Sequence, residues 1–157
     1  MASPNHRKNK DVAKLISSHE VTFPDHDELD YFVVKFVGPK DTPYDGGVWN
    51  VDVLLPKDYP SSPPRVGFIN KIYHPNIVDI NDFLEVCLDV IDDGWKPTYN
   101  LNLIFDYFLP QLLADPNPED PMDSEAALLL INSPEAYKEK VKDYVRKYAS
   151  AVEGPTL

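Results

Sequence analysis

The hydrophobic period of this chain changes once along its length, and that change constrains the fold more than any other feature. From about residue 19 to 69 the period is two: Trp49, Val51, Val53 and Leu55 alternate with Asn50, Asp52 and Leu54, while Tyr31 to Val37 and Arg65 to Ile69 are β-branched and aromatic runs. His19 to Phe23 is a weaker run of the same kind. Turn chemistry separates these runs, because Gly38-Pro39, Asp45-Gly46-Gly47 and the prolines at 56, 60, 63 and 64 all interrupt regular structure. The order predicts an antiparallel meander of four strands. After about residue 100 the period becomes helical. Leu101 to Ala114 is apolar nearly all round and reads as a buried helix, with a kink or early stop near 109 because Pro110 cannot bond back to the Asp106 carbonyl. A second helix is expected over about 124–131, capped by Asp123 or Ser124, and a third from Ser133 and Pro134 with Tyr137, Val141, Tyr144, Val145 and Tyr148 as its apolar stripe. Before the strands, Val12, Leu15 and Ile16 lie at helical spacing and predict a short amphipathic helix over about 8–17. Strands followed by a block of helices make an α+β domain, with residues of about 70–100 left as a long irregular crossing.

At 157 residues the chain is expected to form one domain over 1–157, with its core at about 8–150. Its charge is uneven. Residues 1–18 carry net +3 from Arg7, Lys8, Lys10 and Lys14 against Asp11, whereas residues 19–133 hold 6 basic and 21 acidic side chains. The total of -11 repels phosphate backbones and anionic lipid, so neither nucleic acid nor membrane is an expected partner. There is no apolar run of membrane-spanning length and no signal-peptide core after Met1. The single cysteine allows no internal disulfide and no multi-cysteine zinc site, and it suits a reducing compartment, cytoplasmic or nuclear.

The chain has no glycine-rich phosphate loop, no G-x-S-x-G and no H-E-x-x-H, so no cofactor and no metal are expected. Asp25-His26-Asp27-Glu28 reads as a solvated turn. Unusual residues collect instead in the irregular crossing: Tyr73-His74-Pro75-Asn76, Cys87-Leu88-Asp89 and Gly94-Trp95-Lys96-Pro97. A lone cysteine is either a small buried hydrophobe or a nucleophile, and a nucleophilic thiol needs a base or a positive field. Asp89 works against a thiolate at Cys87, and His74 before Pro-Asn suits a turn lock better than an imidazolium partner. A cysteine hydrolase is therefore disfavoured. Asn76 offers an amide that can close the loop or donate to an oxyanion.

Pro39-x-x-Thr42-Pro43-Tyr44-x-Gly46-Gly47, Tyr59-Pro60-x-x-Pro63-Pro64, His74-Pro75-Asn76, Cys87-Leu88-Asp89, Trp95-x-Pro97 and Asp115-Pro116-Asn117-Pro118-x-Asp120-Pro121 occur in the order that marks the ubiquitin-conjugating enzymes. The chain resembles that family from about residue 8 to 150, and most resembles its H type in Lys71-Ile72-Tyr73-His74, Cys87 to Ile91 and Leu109 to Ala114. The resemblance implies the family fold, a sheet flanked by an N-terminal helix and three C-terminal helices. It also implies an acyl carrier. Cys87 would take the ubiquitin carboxyl as a thioester from the ubiquitin-activating enzyme and pass it to a substrate lysine with a ubiquitin ligase, expected to be of the RING type. Asn76 would order the loop or bind the oxyanion, Asp120 would orient or deprotonate the lysine, Asp89 lies beside the site, and His74 and Tyr73 would order the loop. Arg7, Lys8, Lys10 and Lys14 would dock the activating enzyme, and Ser61, Pro63, Trp95 and Pro97 the ligase. Ser61 replaces the bulky aromatic of many members, so ligase choice does not carry over. Residues 77–86 are longer than the usual family spacing, and the loop is expected to bulge. The alternatives are conjugation of another ubiquitin-like modifier and a silent variant that only binds ubiquitin or a partner.

Overall fold

In a computed structural model that describes residues 4–80, 83–86 and 94–150, the chain forms an α+β fold, with one antiparallel sheet packed against helices. Helix α1 is Pro4–Ser18, about a turn longer at its start than the apolar spacing suggests. The strands are β1 Val21–Thr22, β2 Tyr31–Val37, β3 Val48–Leu54, β4 Arg65–Phe68, β5 Ile77–Ile80 and β6 Phe83–Val86. They lie in the order β1-β2-β3-β4-β6-β5, every neighbouring pair antiparallel.

The first four strands form the expected meander, but the sheet has six. The supposed irregular crossing contains a hairpin, β5–β6, whose second strand pairs with β4 at Val66↔Val86 and Phe68↔Leu84. Eight of the ten residues after Asn76, 77–80 and 83–86, thus extend the sheet rather than bulge. Pairing satisfies backbone groups that a buried loop would leave orphaned.

One face of the sheet is the core. Phe32 and Val34 from β2, Val51 and Val53 from β3, and Val66 and Phe68 from β4 are fully buried, with Leu15 of α1 and Leu101, Ile104 and Leu109 of the helical block. Each such side chain contributes about 1.5–3 kcal/mol on leaving water. Trp49 is also buried, and its ring explains Gly47, where a Cβ would sit 2.4 Å from it, while Gly46 is required by its φ of +90. The Trp49 indole then donates to the Lys71 carbonyl at 3.1 Å and fixes the chain just before His74.

The buried helix runs through to Ala114 instead of stopping near 109. It consists of α2 Leu101–Leu103, a π-helical stretch Ile104–Phe108 and α3 Leu109–Ala114, with Pro110 in the first turn of α3. The Leu109 N–H bonds to the Ile104 carbonyl, so the turn ahead of the proline widens and accommodates a residue without an N–H. Two helices follow. In α4, Ser124–Asn132, Asp123 is the cap, its carboxylate accepting from the Ala126 N–H at 3.1 Å; α5 is Pro134–Tyr148. No helix among the described residues is long and apolar enough to cross a membrane.

Candidate active site

His74, Pro75 and Asn76 lie between β4 and β5, and the His74 and Asn76 side chains and the Pro75 carbonyl are all committed. The Asn76 N–H donates to His74 Nδ1 at 2.9 Å, which places the ring proton on Nε2, and Nε2 donates to the Leu112 carbonyl at 2.9 Å. His74 is buried, and desolvation lowers its imidazole to about 4 although the Leu112 bond opposes the shift. A neutral ring with both nitrogens engaged is no general base for a thiol. What it does is tie the turn to α3.

Pro75 and Asn76 tie the same turn to the chain before α4. The Pro75 carbonyl accepts from the N–H groups of Met122 and Asp123 at 2.8 and 2.9 Å. The fully buried Asn76 side chain donates to the carbonyls of Asn117 (2.9 Å) and Asp120 (3.2 Å) and accepts from the Asn117 N–H (2.8 Å). Both of its amide hydrogens are therefore spent on backbone carbonyls.

Asp120 is held by its backbone alone. Its carboxylate is exposed and takes no hydrogen bond or ion pair from the described residues, and Asp123, not Asp120, caps α4. An unengaged carboxylate on a fixed backbone is free to accept a hydrogen bond or pair with a cation.

Tyr73 is anchored from below. The Tyr44 hydroxyl donates to the Tyr73 carbonyl, and since that uses its one proton, the Tyr137 hydroxyl donates to Tyr44 across 2.9 Å. Burial drives the Tyr44 phenol well above its ordinary value and the Tyr137 phenol up to about 12, so both remain protonated donors. The Tyr73 hydroxyl itself is buried without a hydrogen-bond partner.

Cys87 and Asp89 lie outside the described residues. The approach to them is described: Val86, the residue before Cys87, pairs with Ile77, the residue after Asn76. The hairpin thus returns the chain to the turn that holds Asn76. Among the described residues no group of His, Cys, Asp or Glu is arranged to hold a metal ion.

The four ligase-docking candidates fall on two adjoining loops. Trp95 donates through its indole to the Pro60 carbonyl at 2.8 Å and packs on Tyr59 at 6.0 Å, joining the loop of exposed Ser61 and Pro63 to that of exposed Pro97. The basic helix divides. Arg7 donates to the carbonyls of Pro97 (2.8 Å) and Tyr99 and to the Asp11 carboxylate (2.9 Å), while Tyr59 donates to the same carboxylate at 2.6 Å. Lys8 is buried and paired with Asp30 at 3.1 Å. Lys10 and Lys14 are exposed. Two of the four basic residues therefore hold the fold together, and two face solvent.

Sequence reasoning gave Tyr137 only a place in the apolar stripe of α5, and Tyr44, Leu112 and Asn117 no role at the site. Tyr44 sits in a motif with a visible turn signature, and Asn117 is a polar residue between two prolines; those were the only signals. The rest is long-range geometry.

Residues 5–145 match the family model described as ubiquitin-conjugating enzyme. The chain is 48% identical over 153 residues to ubiquitin-conjugating enzyme E2 6 of Arabidopsis thaliana, covering 98% of this chain and 82% of that one. It is 47% identical over 151 residues to the 24 kDa ubiquitin-conjugating enzyme E2 of Saccharomyces cerevisiae, covering 96% of this chain and 68% of the relative. Among solved structures, the E2 domain of a Toxoplasma gondii ubiquitin conjugating enzyme superposes with TM-score 0.81 at 28% identity, covering 94% of this chain and all of that one. A turn locked by His-Pro-Asn, a hairpin leading back to it toward a cysteine, and these likenesses along nearly the whole length have one meaning: the chain belongs to the ubiquitin-conjugating enzymes, which transfer ubiquitin through a cysteine thioester.

Proposed function

We propose that Cys87 is the thioester-forming residue, that Asn76 orders the loop carrying Asp120, and that Asp120 receives the acceptor lysine. The Cys87 thiolate attacks the ubiquitin thioester on the activating enzyme; a new S–C bond forms and the activating enzyme's thiolate leaves. A lysine amine then attacks the same carbonyl, the C–N bond forms, and Cys87 leaves as thiolate while the ammonium proton passes to a nearby base. The observation that carries this assignment is the free, exposed carboxylate of Asp120 on a backbone clamped by Asn76. Asn76 acts by loop ordering, because an oxyanion would have to displace one of its two bonded carbonyls. Asp89 stands two residues beyond the thiol and adds negative charge for the approaching ammonium.

For partners, Lys10 and Lys14 form the cationic face for the activating enzyme, with Arg7 and Lys8 holding the helix in place. The joined loops of Ser61, Pro63, Trp95 and Pro97 receive a RING-type ligase. The H-type subclass is supported by the two segments that His74 joins, Lys71–His74 and Leu109–Ala114. A chain whose function needs its one thiol reduced fits the cytoplasm or nucleus.

Single-turnover kinetics test the assignment. Asp120→Ala should charge Cys87 nearly normally and discharge onto free lysine about 10²–10⁴-fold more slowly, the range of a positioned proton acceptor. Its melting should be unchanged, because the carboxylate caps nothing. Charging, discharge and melting that fall together would refute the role.

A further inference from the structure

Next to the site lies a cleft that the transfer mechanism leaves unused. A cavity of about 140 Å³ is lined by Lys71, Tyr73, Ile77, Asp123, Lys140 and Tyr144, among others, and a second of about 300 Å³ continues between α4 and α5; Tyr73, Glu125 and Lys140 belong to both. Three groups here lack polar partners. Tyr73 is 5% exposed and its hydroxyl has no hydrogen bond, a costly state for a buried donor. Lys140 holds its ammonium over the Tyr73 ring at 4.9 Å, and Lys71 holds its own over Tyr148 at 5.6 Å; neither has a carboxylate within ion-pair distance among the described residues. Asp123 and Glu125 also line the chamber; burial, and then their charge, raises the Tyr73 phenol and keeps it a protonated donor. Asp123 accepts from the Ala126 N–H, and Glu125 and Lys71 both stand exposed to water, which screens them.

The half-buried Lys140 ammonium beside the unpaired Tyr73 hydroxyl, with the exposed Lys71 at the rim, matches a carboxylate, and the two lysines offset the charge of Asp123 and Glu125 on the same wall. The chamber flanks the site. Tyr73 and Ile77 bracket the His74–Asn76 turn, and Asp123 is three residues from Asp120, within about 11 Å along an extended chain. Resting on the transfer reading above, we propose that this cleft is an acceptor subsite, which binds a Glu or Asp side chain of the substrate two to four residues from the target lysine. Lys140, Lys71 and the Tyr73 hydroxyl are the groups that receive it, and the apolar wall of Leu128 and Leu129 beyond it supports the neighbouring residues of the peptide.

The test is single-turnover discharge of the ubiquitin-charged enzyme onto synthetic peptides with one lysine and either Glu or Gln placed three residues away, with free lysine as reference. The Glu peptide should discharge several-fold faster at low concentration through a lower KM, and added salt should narrow the gap. Lys140→Gln should remove most of that preference, Lys140→Arg should keep it, and Lys140→Glu should reverse it in favour of a Lys-flanked peptide. Tyr73→Phe should lower the Glu/Gln ratio. All of the Lys140 variants should discharge onto free lysine at the unaltered rate. Equal rates for the two peptides, or a preference that survives Lys140→Gln together with Lys71→Gln, would overturn the subsite. Loss of discharge onto free lysine by the unaltered enzyme would instead overturn the transfer reading and the subsite with it.

Discussion

Removing the Asn76 side chain distinguishes loop ordering from oxyanion binding. Asn76→Ala deletes three hydrogen bonds, of 2.8, 2.9 and 3.2 Å, in a side chain with no exposure. At about 0.5–1.5 kcal/mol each these sum to roughly 1.5–4.5 kcal/mol. Asn117 is only half-buried and Asp120 is exposed, so their freed backbone groups can bind water, and the lower half of the range applies. A loss of about 1.5–3 kcal/mol in a domain of this size lowers Tm by roughly 3–12 °C. Urea unfolding should show a lower midpoint at an unchanged slope. Kinetics supply the sharper result. If Asn76 acts through the position of Asp120, then Asn76→Ala and Asp120→Ala each slow discharge, and the double variant is little worse than the slower single one. An oxyanion donor would act independently, and the two effects would multiply. Unchanged melting with multiplying rates would refute loop ordering.

Three further outcomes follow from the same geometry. His74 has its imidazole lowered to about 4 in the fold against about 6.5 in the open chain, so between those values the unfolded state binds the extra proton and stability falls with decreasing pH; the full loss is about 3 kcal/mol and is complete below pH 4. Urea midpoints measured from pH 7.5 to 4 should show this decline, and it should flatten in His74→Gln. Lys10→Glu with Lys14→Glu should slow charging several-fold at low salt, less at high salt, with unaltered melting, because exposed charges mainly steer encounter. Arg7→Ala should instead destabilise by about 1–3 kcal/mol, since it leaves the buried Asp11 carboxylate with only the Tyr59 hydroxyl; equal melting would show the clamp to be dispensable.

Local pattern was legible in the sequence, and long-range closure was not. The strand over 48–54 follows from alternation, those over 31–37 and 65–68 from β-branched and aromatic runs, and the α5 start from Ser133 and Pro134. The β5–β6 hairpin was missed although its signal exists: two β-branched or apolar runs of four residues flank Asn81-Asp82, a two-residue turn spacing. Motifs on either side drew the segment into a loop reading. Ionic character misled in the other direction. Arg7 and Lys8 look like part of the docking face because their partners, the Pro97 and Tyr99 carbonyls and Asp30, are remote in the chain. Only the Asp11 partner, four residues on, lay within reach of helical spacing. His74 was readable as a turn lock from its Pro-Asn neighbours, but nothing local pointed to Leu112, and nothing local showed that Asn76 reaches across 44 residues to hold the Asp120 backbone.

The central claim is that Cys87 carries ubiquitin, and it meets its most direct test in a charging reaction with activating enzyme, ATP and ubiquitin, read on gels with and without thiol reductant. The account predicts one adduct of ubiquitin size that reductant removes, that is absent from Cys87→Ala, and that becomes a slower, reductant-resistant ester in Cys87→Ser because an alkoxide is a poorer leaving group than a thiolate. An adduct that persists in Cys87→Ala, or an unaltered protein that takes up no ubiquitin at all, would contradict it.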